Sequence, residues 1–165
     1  MRLDAATCTP LVPARDADGH KGTFGTLLCV CGSLDYAGAA LLCGTAAARA
    51  GAGLVVLAVP ASLQPVVAGR VPELVTLGLP ESAGDIDARE AVHAIKTKSV
   101  DALVIGCGLG ETDGCRELVL GLVARAGRAM VVDGGALNLL SRSGEWWRDA
   151  QRECVLTPHP GEFAR

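Results

Sequence analysis

The chain has 165 residues, half of them hydrophobic, a fifth charged and only 3% aromatic, with a formal net charge of −3. That length suits one domain with a real hydrophobic core, and the composition argues against intrinsic disorder. An acidic balance, no basic stripe and few aromatic rings argue against a nucleic-acid partner.

A polar, proline-bearing lead-in runs to about Gly22, after which short apolar runs alternate with helical patterns. Thr26–Gly32 (TLLCVCG) reads as a buried strand, being short, apolar and closed by glycine. Gly38–Ala50 reads as a helix, small and apolar all round, with Gly51 and Gly53 as stops. Leu54–Val59 is a second strand ended by Pro60, Ser62–Gly69 a weak helix, and Leu74–Leu79 a third strand. Asp87–Thr97 reads as an amphipathic helix with Ile86, Val92 and Ile95 on the apolar side. Asp101–Gly106 is a strand, Asp113–Ala126 a helix, Ala129–Asp133 a strand, Ala136–Leu140 a short helix and Cys154–Thr157 a last strand. Such alternation predicts an α/β fold of three layers, a mostly parallel sheet with helices on both faces. No internal repeat or linker divides it, so residues 1–165 are expected to form a single unit. The final strand and HPGEFAR are followed by no covering helix, so that unit reads as truncated.

The seven cysteines (Cys8, Cys29, Cys31, Cys43, Cys107, Cys115, Cys154) are odd in number and sit mostly in apolar runs, as buried thiols of a reducing cytosol do. Cys29 and Cys31 share one face of a strand and are no CxxC pair. His20, His93 and His159 stand alone, so spacing predicts no metal centre. Arg2 precedes no continuous apolar core, which argues against a signal peptide, and no stretch is long enough to span a bilayer. A cytoplasmic protein with no membrane partner is expected.

Unusual residues gather just after the strands: Gly32–Gly38, Gly106-Cys107-Gly108-Leu109-Gly110, Asp133-Gly134-Gly135 and Thr157–Glu162. In a parallel sheet these segments emerge on one edge, where open α/β sheets bind ligands. GCGLG is either a tight turn or a backbone cradle for an anionic oxygen; it is neither GxGxxG nor a P-loop. Asp133 is either a helix cap or a site residue, and His159 and Glu162 either solvated loop residues or a polar pair for a ligand. Prolines on both sides of His159 stiffen its loop. Lys21 reads as a surface residue, and Tyr36, the one tyrosine, hints at ring stacking. GxSxG is absent, and no Ser-His-Asp arrangement has support.

Taken in order, HKGTFGTLLCVCGS, YAGAALLCGTAAARAGAGLVVLAVP, the VPEL stretch, DALVIGCGLG, VVDGGALN and VLTPHPGEFAR resemble the ADP- or ATP-dependent NAD(P)H-hydrate dehydratases of the ribokinase-like superfamily. The resemblance runs from about Ala14 to Arg165. It implies a nicotinamide-cofactor repair lyase that acts on the S-epimer of hydrated NADH or NADPH (NADHX, NADPHX). ADP or ATP would be the phosphoryl donor, with Mg2+. The ring hydroxyl would be phosphorylated and the phosphate eliminated, turning a poor leaving group into a good one.

By the same resemblance, Gly38, Ala39 and Ala40 would line the hydrate pocket and Gly108 would approach the substrate with its backbone. His159, Pro160, Gly161, Glu162, Phe163 and Arg165 would form the main hydrate-binding loop, with Asp133 and Asn138 as second-rank candidates. A homo-oligomer is implied for the full-length protein. Cys107 stands where the family usually has proline, and Asp133-Gly134-Gly135 replaces its DAD pattern. The family's Leu-Lys-Gly nucleotide segment and its Gly-Thr-Gly-Asp motif with the catalytic aspartate do not occur here, so no catalytic residue is expected in this chain and it is expected to be inactive alone and marginally folded. Two alternatives stay open: another ribokinase-like small-molecule kinase, and a non-catalytic dinucleotide-binding module.

Overall fold

A computed structural model describes residues 4–165; Arg2 lies outside the described residues. Strands β1 (Thr26–Val30), β2 (Leu54–Pro60), β3 (Val75–Leu79), β6 (Ala102–Ile105), β7 (Ala129–Val132) and β8 (Cys154–Leu156) form one six-stranded sheet in the order β3-β2-β1-β6-β7-β8. Every pairing in it is parallel. Their near-continuous apolar runs match burial on two faces.

Helices supply that burial from both sides. The α2 (Ala37–Ala50) and α3 (Gln64–Ala68) helices pack on one face, over Cys29, Cys31, Val55, Leu57 and Val59. The α4 (Ala88–Lys96), α5 (Asp113–Arg125) and α6 (Gly134–Ser141) helices cover the other, over Leu28, Val30, Leu103, Ile105, Met130 and Val132. Alternate residues of each strand thus serve separate cores, which is the three-layer arrangement expected from the sequence. Ile86, Val92 and Ile95 are buried together, as the amphipathic pattern of α4 predicts. The small residues of α2 allow close approach: a Cβ at Gly44 would stand 2.6 Å from Leu74 Cδ1. Gly51 ends that helix in the left-handed region, at φ 108°.

Coverage fades across the sheet. Leu57, Cys29, Val104, Val131 and Val155 lie in register on the α2 face. The first two are fully buried, Val104 and Val131 partly so, and Val155 is 61% exposed. Among the described residues α2 and α3 are the helices of that face, and they lie over its β1–β3 half.

Several small elements escape the sequence reading. A capping box between Asp4 and Thr7 starts the one-turn helix α1 (Ala5–Cys8) in the lead-in. Glu81–Ser82 (β4) and Asp85–Ile86 (β5) pair antiparallel around Ala83 and Gly84, both at positive φ. A 3-10 turn spans Trp146–Arg148, and α7 (Pro160–Phe163) occupies what reads in sequence as a loop. No described helix is long and apolar enough to cross a membrane.

Candidate functional site

The strand order reverses direction between β1 and β6: the chain runs from β1 through β2 to β3 on one side, and from β6 through β7 to β8 on the other. At such a switch point the loops beyond the two carboxyl ends part and leave a crevice. The loop after β1 and the GCGLG loop after β6 meet there. Gly32 N donates to the Cys107 carbonyl at 2.9 Å, and Gly106 N donates to the Val30 carbonyl at 3.0 Å.

Packing requires the glycines of this crevice. Gly106 and Gly108 sit at φ 111° and 67°, in the left-handed region. A Cβ at Gly106 would land on the Asp133 carbonyl oxygen, and one at Gly108 would stand 2.5 Å from Ala39 Cβ and 2.9 Å from Tyr36 Cβ. The Gly106 carbonyl also accepts from Leu109 N (3.0 Å) and Gly135 N (3.1 Å). GCGLG is therefore a tight turn clamped between α2 and α6, and the same clamp fixes where its backbone faces. Next to it, Gly38 is exposed and open, and Ala39 is half-buried against Gly108. Ala40 is fully buried and packed under Gly32, supporting the rim from below. Tyr36 stands exposed on the loop before α2.

Asp133, at the end of β7, joins two neighbouring strand ends. Its Oδ1 accepts from Thr157 Oγ1 at 2.7 Å and its Oδ2 from Cys107 Sγ at 3.3 Å. Although it precedes α6, its side chain makes no cap bond there. Burial raises its pKa above the ordinary aspartate value, Thr157 pulling down and Cys107 pushing up.

Beyond β8, His159 Nδ1 accepts from Gly161 N at 3.0 Å and Glu162 N at 3.3 Å, while Glu162 Oε2 accepts from His159 N at 3.0 Å. The ring therefore caps α7, with its Nε2 lying 3.3 Å from Glu162 Oε1. His159 and Glu162 thus bond each other, and what they present outward is an exposed imidazole face. Pro160 and Gly161 form the exposed first turn, and Phe163 projects beside it at 83% exposure.

Arg165 Nη1 donates to Asn138 Oδ1 at 2.6 Å, and Asn138 Nδ2 donates to Glu111 Oε1 at 2.7 Å. Glu111 in turn pairs with Arg142 at 3.1 Å. This chain of contacts links the end of the GCGLG loop, α6 and the HPGEFAR segment. Sequence reasoning missed Glu111, although it directly follows GCGLG, and Arg142, which carries no local signal. The GCGLG, Asp133 and HPGEFAR segments thus share one rim, carried by three consecutive strands of the sheet. Lys21 is not part of it: a Cβ at Gly53 would land on its carbonyl oxygen, so HKG packs its backbone against the turn before β2.

Another juxtaposition is invisible to sequence spacing. The Sγ atoms of Cys31, Cys43 and Cys107 all lie within 4.8 Å of one another. Hydrogen bonding to Cys107 and Cys43, with burial, pushes the Cys31 thiol well up. Cys107 is lowered by Cys31 but raised more by Cys43 and burial, so it too ends above the ordinary thiol value.

A parallel sheet with this strand order, flanked by helices on both faces and carrying its candidate site at the carboxyl edge, defines an α/β protein of the ribokinase-like class. The fold superposes on a ribokinase-like superfamily protein from Enterococcus faecalis with a TM-score of 0.73, at 22% identity, over 92% of this chain and 51% of that one. Residues 27–165 match the NAD(P)H-hydrate dehydratase family, and the chain belongs to it. It is 41% identical over 165 residues to the bifunctional NAD(P)H-hydrate repair enzyme of Moorella thermoacetica, covering 99% of this chain and 31% of that protein. It is 36% identical to the ADP-dependent (S)-NAD(P)H-hydrate dehydratase of Bacillus subtilis, covering 93% of this chain and 51% of that one. A crystal structure of the B. subtilis ADP/ATP-dependent NAD(P)H-hydrate dehydratase, co-crystallised with ATP and Mg2+, matches with a TM-score of 0.72 at 30% identity, over 97% of this chain and 53% of that one. The chain therefore spans between about a third and a half of the length of these relatives.

Proposed function

We propose that this chain supplies the substrate side of a cytoplasmic NAD(P)H-hydrate dehydratase that returns (S)-NADHX or (S)-NADPHX to the reduced cofactor. One observation carries the reading: the family match over residues 27–165 includes the GCGLG, Asp133 and HPGEFAR segments, and these ride on adjacent strands at one rim. In the proposed reaction a nucleotide phosphoryl group is transferred to the ring hydroxyl oxygen. The carbon–oxygen bond then breaks, phosphate leaves, a ring proton is lost and the double bond returns. Gly38, Ala39 and Gly108 would border the hydrated ring with small surfaces and bare backbone, and Ala40 would support them. His159, Pro160, Gly161, Glu162, Phe163 and Arg165 would close over the dinucleotide, with Asp133 and Asn138 holding the rim in shape. In this reading these residues bind and orient the substrate.

ADP or ATP is the proposed donor. Among the described residues no three carboxylates come together to hold Mg2+, and the rim acids Asp133 and Glu111 are engaged by protein partners, so no step here is routed through that ion. The test is to give the full-length protein hydrated NADH or NADPH with ADP or ATP and follow the return of reduced-nicotinamide absorbance. No consumption of either hydrate, or phosphorylation of an unrelated alcohol instead, would replace this reading with that of another small-molecule kinase. Hydrate binding by the full-length protein without turnover would favour a dinucleotide-binding module.

A further inference from the structure

We propose that Cys31, Cys43 and Cys107 form a thiolate site for a thiophilic divalent cation, with zinc as the ion it fits. The three sulfurs come from separate elements: Cys31 just beyond β1, Cys43 from the middle of α2, and Cys107 from the loop after β6. Tertiary structure alone collects them within 4.8 Å of one another. Tetrahedral zinc with Zn–S bonds of about 2.3 Å sets its sulfurs about 3.8 Å apart. Sulfurs already within 4.8 Å therefore close on a metal through displacements of about 1 Å or less.

The surroundings fit a bound ion. Cys31 is fully buried and forms the floor of the site. Cys43 and Cys107 line an open groove of about 500 Å³ beside α2, which gives a cation its way in. Asp133 Oδ2 accepts the Cys107 thiol proton at 3.3 Å and lies outside the group of three sulfurs, so the fourth position on the ion falls to a water from the groove. Soft sulfur donors select zinc over Mg2+ or Ca2+. Binding releases the three thiol protons to solvent and leaves three thiolates on a divalent ion, a net charge of −1 before any fourth ligand is counted. The site rests on packing around β1, α2 and β6 and is independent of the dehydratase reading.

The experiment titrates the reduced protein with Co2+ under anaerobic conditions and then displaces cobalt with zinc. One cobalt per chain is expected, with a sulfur-to-cobalt charge-transfer band that zinc abolishes. Cys43→Ala and Cys107→Ser should each weaken binding by about 100-fold or more, and Cys154→Ala should leave it unchanged. Circular dichroism of Cys43→Ala checks the fold, since alanine is the best helix former at that position. Cobalt bound without the charge-transfer band, equal affinity in Cys43→Ala, or a disulfide among the three cysteines that zinc fails to block would each overturn the proposal.

Discussion

His159 and Glu162 hold each other at the two ends of one helical turn: the imidazole Nδ1 accepts the Glu162 amide at 3.3 Å, and the Glu162 carboxylate accepts the His159 amide at 3.0 Å. This is a capping box in which histidine replaces the usual hydroxyl residue. The carboxylate is 8% exposed and the imidazole 64% exposed, so the acid serves the turn and the ring faces out. His159→Ala removes the cap and the ring face together, and the cap accounts for about 1 kcal/mol. His159→Asn restores an acceptor for the two amides but offers no ring. In the full-length enzyme, Asn should recover the melting temperature that Ala loses, while both raise KM for the hydrate. If Asn also restores KM, the histidine acts only as a cap.

Gly108 faces α2 at φ 67°, with Ala39 Cβ and Tyr36 Cβ where its own Cβ would be. Gly108→Ala meets both a steric and a conformational penalty, together about 1–3 kcal/mol. The expected result is a folded protein of lowered melting temperature and raised hydrate KM, because relief requires the loop to move away from α2. Gly106→Ala collides with backbone at the Asp133 carbonyl, which cannot yield as a side chain can, and should cost more. Chemical denaturation of the two variants side by side gives the ranking.

Much of this architecture was legible because periodicity and breakers agree. TLLCVCG reads as a strand and is one, and the glycines after Ala50 stop α2 where expected. Boundaries moved at glycine: Gly134 and Gly135 precede the helix expected over Ala136–Leu140, yet they are the first residues of α6, held by the clamp on Gly106. The β4–β5 hairpin has two residues per strand, too few for alternation to register. Helix α7 was missed because its cap is a histidine. The rim was legible as a set of strand ends, since parallel strands place those ends together. Its internal bonds, such as Asn138 to Arg165, were not, because they join residues 27 positions apart. The cysteine cluster was hidden for the same reason.

Ala83 is the described non-glycine residue with positive φ, at 53°, followed by Gly84 at 83°. Two left-handed residues make the turn that matches the twist of a hairpin, and asparagine adopts that conformation far more readily than alanine. Ala83→Asn should stabilise the protein by about 0.5–1 kcal/mol, with hydrate KM unchanged. A destabilised variant would mean that the hairpin is not held in this turn in solution.

Two aspartates should leave opposite signatures in the pH dependence of stability. Burial pushes Asp85 up, but hydrogen bonds from Thr112 Oγ1, Gly114 N and Ile86 N outweigh it and hold its pKa below the ordinary value. Its contribution is therefore full above the unfolded pKa of about 3.9 and is lost as pH falls through the lower folded value. Asp133 is raised by burial, so its contribution is full below about 3.9 and is lost as pH rises through the higher folded value. Against wild type, Asp85→Asn should lose least at the acid end, and Asp133→Asn should gain as pH climbs out of the carboxylate range. Urea titrations across that range test both. Parallel curves for wild type and either variant would remove that aspartate from the account.

The half-covered face of the sheet makes a last prediction about solution behaviour. Leu42 on α2 is 74% exposed, Val155 on the edge strand β8 is 61% exposed, and the apolar groove beside α2 lies on the same face. Contiguous apolar surface next to an unpaired strand edge favours self-association. Leu42→Lys and Val155→Lys remove little buried area, so each should alter stability by no more than about 0.5 kcal/mol. Each should nonetheless lower the binding of a hydrophobic dye and raise the concentration at which this 165-residue chain begins to aggregate. A lysine on the exposed edge acts twice, by breaking the apolar patch and by opposing strand addition, so Val155→Lys should have the larger effect. Light scattering against concentration measures it, and if both variants aggregate like wild type, the exposed face is not the adhesive surface.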